Sequence, residues 1–350
     1  MARKQIGRDK FSTLFAAQKV QQYLDHPPST KGSSPSTTHS HRTISWNASG
    51  GLVATGAADR TVRVWNPEKT SARSATELRG HGYAVEKVAF NPVREFELAS
   101  CAADGSVRFW DTRSKAVIAK LDVGGDPFTL AWSADGSALV AGTKGDSLIT
   151  ISTAIPSSPT VLAKHKQPQQ TNQTTFSNAY PPQDLLITQG DGSVKILDYP
   201  SMSLLHTLSA HTSSCTAIAY SPTGKYVAVG GSDALISLWD TSDWVCRRTL
   251  SNPAAGAVRG ISWSWDGRYL VGASEDVSSA AADGSSTTGL EVYHAETGDV
   301  VYTIPTGTAS IPAVAWHPNR YWLAFTQVDE NSKKGSSLKI VGAGGGGPAI

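Results

Sequence analysis

Residues 88–110 read VAFNPVREFELASCAADGSVRFW, and the fold follows from finding this stretch again along the chain. It holds a short strand ending on an aromatic residue and a polar turn, Val88-Ala89-Phe90-Asn91-Pro92. A second strand, Leu98-Ala99-Ser100, leads to the turn residue Asp104 and a third strand, Ser106-Val107-Arg108-Phe109-Trp110. The first element recurs at Ile44-Ser45-Trp46-Asn47, Leu130-Ala131-Trp132-Ser133, Thr175-Phe176-Ser177-Asn178, Ile218-Ala219-Tyr220-Ser221-Pro222, Ile261-Ser262-Trp263-Ser264 and Val314-Ala315-Trp316-His317-Pro318. Successive aromatic residues lie 44, 42, 44, 44, 43 and 53 positions apart. Turn aspartates keep the same beat: Asp59, Asp104, Asp146, Asp191, Asp233 and Asp276 follow at steps of 45, 42, 45, 42 and 43. Strands such as Val62-Arg63-Val64 alternate in polarity, the period of a pleated sheet. Two marks in step at this spacing predict an all-β, seven-bladed β-propeller with four strands per blade.

The long last step is explained by a Ser/Ala/Gly/Thr-rich insertion in blade 6, Ser278 to Thr288, read as a surface loop. Blade 7 ends at Ser337-Leu338-Lys339-Ile340-Val341 and is followed by Gly-rich residues that offer no fourth strand. An open sheet edge is a liability, so the N-terminal segment is expected to supply the missing strand and close the ring. Lys19-Val20-Gln21-Gln22-Tyr23 is the donor. The expected organisation is an N-terminal arm over 1–18 with a short helix within Phe11 to Gln18, a propeller over 19–342 that includes a polar linker at 25–40, and a Gly-rich tail at 343–350.

Composition narrows the function classes. Charged residues make up 17% of the 350 positions, and 31 basic against 29 acidic residues give a net charge of +2. That leaves no global pull towards phosphate. Cys101, Cys215 and Cys246 are widely spaced and odd in number, which fits neither a disulfide framework nor paired metal ligands. No run approaches the roughly 18 apolar residues of a membrane helix, and the polar, basic start is unlike a secretory signal. An intracellular protein without membrane contact is expected.

One blade invites a catalytic reading. His81, Ser100, Asp104 and Trp110 fall in a single repeat, and His, Ser and Asp together raise the possibility of a hydrolase triad. Other blades carry parts of the same set: Thr55, Asp59 and Trp65 in blade 1, where His39 or His41 could approach, and His211, Asp233 and Trp239 in blade 5, where Val229 stands at the hydroxyl position. Repeated partial copies point to architecture, since a catalytic centre needs one. No histidine pair has a metalloprotease spacing, no acidic run has a calcium-loop spacing, and Gly124-Gly125 and Gly230-Gly231 lack the rest of a phosphate loop. No enzyme activity, metal or cofactor is expected.

The strand-terminal Trp110-Asp111 and Trp239-Asp240 resemble the WD40 repeat, whose blades are braced by a His–Ser/Thr–Asp–Trp tetrad; that is the role the resemblance implies for the three sets above. Other stretches are more particular. Gly224-Lys225-Tyr226-Val227-Ala228, Gly231-Ser232-Asp233-Ala234-Leu235-Ile236-Ser237-Leu238-Trp239-Asp240, Trp244-Val245-Cys246-Arg247-Arg248, Asp191-Gly192-Ser193-Val194-Lys195-Ile196-Leu197-Asp198-Tyr199-Pro200 and Val314-Ala315-Trp316-His317-Pro318-Asn319-Arg320 resemble the WD-repeat subunit family of the nuclear THO/TREX complex. The resemblance implies a non-catalytic scaffold that docks a large helical subunit and other THO subunits. A DEAD-box RNA helicase and export adaptors join them in TREX, RNA contact is weak or indirect, and the setting is the nucleus. Arg60, Arg108, Arg259, Trp265 and Tyr321 are the candidate partner-binding residues, because arginine and exposed aromatics often anchor interfaces. Trp265 and Tyr321 could instead pack between blades. Trp110-Asp111-Thr112-Arg113 also resembles the WDxR feature of cullin-4 ubiquitin-ligase substrate receptors, in which Arg113 would meet the ligase adaptor. A WD scaffold in another chromatin or RNA-processing complex is the further alternative.

Overall fold

The computed structural model describes residues 5–24, 40–68, 75–178, 183–251, 256–274, 289–306, 310–328 and 337–342. Asp276, His39, the blade 6 insertion, most of the 25–40 linker and the 343–350 tail lie outside these residues.

Seven four-stranded antiparallel sheets form, and each is built from consecutive strands except the last. In blade 2 the strands are Val85–Phe90, Glu97–Ala102, Ser106–Asp111 and Ala116–Asp122. The first strands of successive blades pack on one another around the ring, and that of blade 7 (Val314–Trp316) reaches that of blade 1 (His41–Trp46), so the first strands line the centre. Second strands carry the core: Val53–Ala57, Glu97–Ala102, Ala138–Thr143 and Tyr226–Gly231 are buried at every position. Fourth strands face outward and are mostly exposed, as in Leu204–Ser209 and Cys246–Ser251.

The periodic aromatic residues tie blade to blade. The indole N–H of Trp46 donates to Ala315 O, that of Trp132 to Ala89 O and that of Trp263 to Ala219 O, each at 3.0 Å. Each acceptor immediately precedes the aromatic residue of the preceding blade, so one repeated position both fills the seam and orients its neighbour. The next seam contact lies closer to the axis. Thr43 Oγ1 accepts from Val88 N–H, Thr129 Oγ1 from Thr174 N–H and Gln173 Oε1 from Ile218 N–H.

The ring is shut by the N-terminus. Val20–Leu24 pairs antiparallel with Ser337–Val341, completing the sheet of blade 7 within one residue of the position read from sequence. Upstream, the helix runs Arg8–Ala16 and is docked on the ring by Phe11 and Phe15, four residues apart on one face. Phe11 stacks on Tyr269 of blade 6 with centroids 3.9 Å apart, and Phe15 packs against Tyr302 of blade 6 and Trp316 of blade 7. Ile6 N–H donates to Tyr321 Oη, and Tyr269 O–H donates to Ile6 O. The segment therefore closes one blade and staples two.

Blade 3 slips against the turn-aspartate pattern. Its second-to-third turn spans 144–146 between Thr143 and Ser147, as 103–105 does between Ala102 and Ser106. Asp146 thus occupies the place of Gly105, not of Asp104, and shares its positive φ (53° against 77°). A short polar side chain tolerates that backbone better than most, which is why the aspartate recurs one place late. Its carboxylate faces Lys166 at 3.5 Å.

Candidate functional site

Blade 2 brings the four residues of the apparent triad together. His81 Nε2 lies 2.7 Å from Ser100 Oγ and Nδ1 lies 3.2 Å from Asp104 Oδ2. The distances would suit a serine nucleophile and its base. The surroundings do not. Ser100 is wholly buried, Trp110 Nε1–H donates to its Oγ at 2.8 Å, and no face of the hydroxyl is open to a substrate. Asp104 also accepts from Gly82 N–H and from the Ser106 hydroxyl. The set joins the inner-strand loop to the next two strands, and it braces the blade because all its polar atoms are matched.

The other two sets vary the theme. In blade 1 Trp65 donates to Thr55 Oγ1, while Asp59 is engaged by Arg63 in a buried ion pair of 2.5 Å. His41 is buried with its ring 6.4 Å from that of Trp65. In blade 5 His211 faces both oxygens of Asp233, and the hydroxyl missing at Val229 is supplied by Ser237 on the neighbouring strand: Ser237 Oγ lies 3.1 Å from His211 Nε2 and accepts from Trp239 Nε1–H at 2.9 Å. Sequence reading by fixed position misses Ser237. Its signal is a serine two residues before the blade tryptophan, where blades 1 and 2 have Arg63 and Arg108. Ser237→Ala should lower stability by about 1 kcal/mol, since it takes the acceptor from the half-buried Trp239 indole N–H, while His211 Nε2 still has Val229 O at 3.1 Å; a shift in the urea midpoint checks this, and an unchanged midpoint refutes it.

These braces set an acid response. Burial pushes the Asp104 carboxyl up, but hydrogen bonds from Ser106 and from the Gly82 and Ser106 amides outweigh it and hold it at about 2. For Asp59 burial is likewise outweighed, by Arg63 and Thr61, again to about 2. Both folded values lie below the unfolded carboxyl value, so their stabilisation is present above roughly pH 4 and is lost as pH falls towards 2. Burial pushes the His81 imidazole below its ordinary 6.5, despite Asp104. The unfolded chain then takes up that proton first, and stability falls as pH drops through about 6.5. Urea midpoints should be flat from pH 8 to 7 and decline in two stages below. A His81→Gln variant should show a smaller first stage, the remainder coming from His294, whose imidazole burial also pushes down.

The predicted partner set divides between the two faces. The upper face is taken as the end where inner strands begin and second strands turn into third. Arg60 lies in such a turn, exposed, with a positive φ of 71°, and reaches towards Gly82 O of blade 2. Arg259 is exposed at the start of the blade 6 inner strand, Val258–Trp263, and Arg108 is half-buried near the start of its third strand, over Gly80. Trp265 and Tyr321 follow the ends of inner strands and belong to the lower face. Tyr321 is 6% exposed, donates to Asp266 Oδ2 at 2.6 Å, and lies under the N-terminal helix; Trp265 packs against it at 5.7 Å. Tyr321 is therefore withdrawn as a contact residue, because the chain's own arm covers it. Arg113 is exposed on a lower-face turn, paired with Asp111 at 3.2 Å and laid over the Phe96 ring at 4.8 Å.

A polar channel opens on the upper face, with a volume of about 460 Å³. Arg42, Glu86, Phe128, Asn172, Thr216, Arg259 and Pro312 line it, one from each blade, and every one stands four residues before its blade's aromatic. That register was readable from the repeat and was missed. Among the described residues no group of three or more His, Cys, Asp or Glu could hold a metal, and no helix is long and apolar enough to cross a membrane.

Comparison with known proteins bears on most of the ring. The WD domain, G-beta repeat model matches residues 32–66, 72–111, 202–240 and 244–276. THO complex subunit 3 of Arabidopsis thaliana is 34% identical over 292 residues, covering 83% of this chain and 87% of that protein. The chain belongs to the THO complex subunit 3 family. WD repeat-containing protein AAC3 of Dictyostelium discoideum is 28% identical over 85% of this chain and 64% of its own length. Human Striatin-4 is 30% identical over half of this chain but only 24% of its own length. The family match covers 83% of this chain and so includes blades 3 and 4, which the repeat model passes over; the likeness extends beyond generic repeats.

Proposed function

We propose that this protein is the non-catalytic WD-repeat scaffold of a THO complex in the nucleus, and through it of TREX, coupling transcription to messenger-RNA packaging and export. The observation that carries the reading is 34% identity sustained over 83% of this chain and 87% of the Arabidopsis relative. A rigid ring presents loops and edges to several partners at once while its own polar clusters stay internal. ATP hydrolysis belongs to the DEAD-box helicase, and export adaptors join through the assembly. RNA contact is indirect, since no convergent aromatic platform is present among the described residues.

Two surfaces suit partners. The outer strands of blades 3 and 4 expose Val161, Leu162, Leu204 and Leu205 at 45% to 59%, more apolar surface than a free sheet edge usually keeps, and they suit the apolar stripe of a large helical subunit. Arg60, Arg108 and Arg259 form the charged upper face. Tagged protein purified from nuclear extract should bring down the helical scaffold subunit. Leu204→Asp with Leu205→Asp should release it, and Arg60→Glu with Arg259→Glu should spare it. Absence of every THO subunit from the wild-type eluate would overturn the assignment.

A further inference from the structure

Lys87 departs from a pattern that blades 1, 3 and 4 keep, while blades 5, 6 and 7 carry Ala217, Gly260 and Ala313 at the same place. At the position three residues before the blade aromatic, Thr43, Thr129 and Gln173 each offer an oxygen to an amide of the next blade. Lys87 holds that position in blade 2, and its ammonium has no lone pair for the corresponding Leu130 amide. Its side chain lines the channel instead, deep among protein atoms but still touching the channel space. Among the described residues no carboxylate or hydrogen-bond acceptor engages its ammonium, and burial pushes its pKa down.

Basic side chains outnumber carboxylates among the residues that line the channel around it. Arg42, Lys87 and Arg259 line the space against the one carboxylate of Glu86, and Glu86 is already taken by Arg42 at 2.7 Å. Asn172, Gln173, Thr129 and Thr216 add neutral polar groups, and Phe128 is the single aromatic. Lys87 is partly exposed to the channel, so its ammonium is left to water there, and a fold that retains a lysine where Thr or Gln would latch the next blade gives up a seam hydrogen bond at that point. A guest oxyanion supplies the missing acceptor.

We propose that the upper mouth of the channel is a binding site for an acidic peptide segment, one carboxylate of which enters to meet Lys87, with Arg259 and Arg42 at the rim. A volume of about 460 Å³ falls among ordinary ligand pockets, of roughly 300–1,000 Å³, and admits a few side chains. A nucleic-acid strand fits less well, because a single aromatic ring in the lining provides no stacking series for successive bases. The site stands on these residues alone, whichever assembly the ring joins.

The test uses the purified full-length chain and fluorescently labelled hexaglutamate, with hexaglutamine and hexauridylate as controls, read by anisotropy. Hexaglutamate should bind, more weakly as salt rises, and hexaglutamine should not. Lys87→Gln should weaken binding about tenfold or more, the size of a lost charge-assisted contact. The same substitution should leave Tm unchanged or raise it, because glutamine restores the acceptor that Gln173 provides two seams further on. That second readout separates a lost site from a lost fold. No hexaglutamate binding, binding indifferent to Lys87→Gln, or tighter binding of hexauridylate would overturn the proposal. Failure of THO subunits to co-purify would leave it standing.

Discussion

Removing residues 1–24 should cost this propeller its cooperative fold. The deletion takes away the outer strand of blade 7, leaving Ser337–Val341 as a raw edge, and strips Phe11 and Phe15 from the blade 6–7 seam. Each Phe is at most 2% exposed, and replacing a buried Phe by Ala costs about 3–5 kcal/mol. The two rings stack on each other at 5.1 Å, so their effects are coupled and do not simply add. Even one approaches the lower end of the 5–15 kcal/mol that holds a typical domain together. The truncated chain should be largely aggregated on expression, whereas the Phe11→Ala, Phe15→Ala double variant should remain soluble with a much reduced urea midpoint. A truncated chain that melts within a few degrees of the intact protein would show that the ring closes without its arm.

Trp110→Ala is expected to be the most damaging single change in the blades. Trp110 is 1% exposed and packs with Ala54, Val62, Val64 and Leu78 of blade 1 as well as Leu98 of its own blade, so the cavity opens at a seam. Truncation of a buried aromatic costs about 3–5 kcal/mol, and loss of the indole donor also unsettles Ser100, on which His81 depends. Trp239→Ala in blade 5 should cost less. Trp239 is half-buried, and its hydroxyl partner Ser237 sits on its own strand, so fewer elements separate when the indole is lost. Denaturation of the two variants side by side tests the ranking. Equal losses would mean that the blade 2 brace is no more integral than its imperfect copy.

The sequence carried the architecture because a propeller repeats its physics. Every blade must fill a seam at the same height, so an aromatic residue recurs at one phase, and each second-to-third turn needs one backbone conformation, so small or polar residues recur at another. The closing strand was legible for a related reason: a last blade with three readable strands leaves an unpaired edge, and Lys19 to Tyr23 was the best-matched strand upstream. Family membership was legible too, since the likeness included blades that deviate from the generic repeat.

What the sequence could not settle was direction and depth. Arg60, Arg259, Trp265 and Tyr321 look alike as candidate anchors on paper, but strand polarity sends the first two to one face and the last two to the other, and the N-terminal helix then buries Tyr321. Asp146 kept the beat closely enough to pass for an equivalent of the other turn aspartates, and only the strand ends placed it one residue late. Ser237 replaced the hydroxyl absent at Val229 from an adjacent strand, because neighbouring strands bring side chains of different registers within hydrogen-bond reach. Periodicity fixes which residues are equivalent; which of them meet is decided by closure of the ring, where contacts between positions far apart in the chain choose what is covered and what stays open.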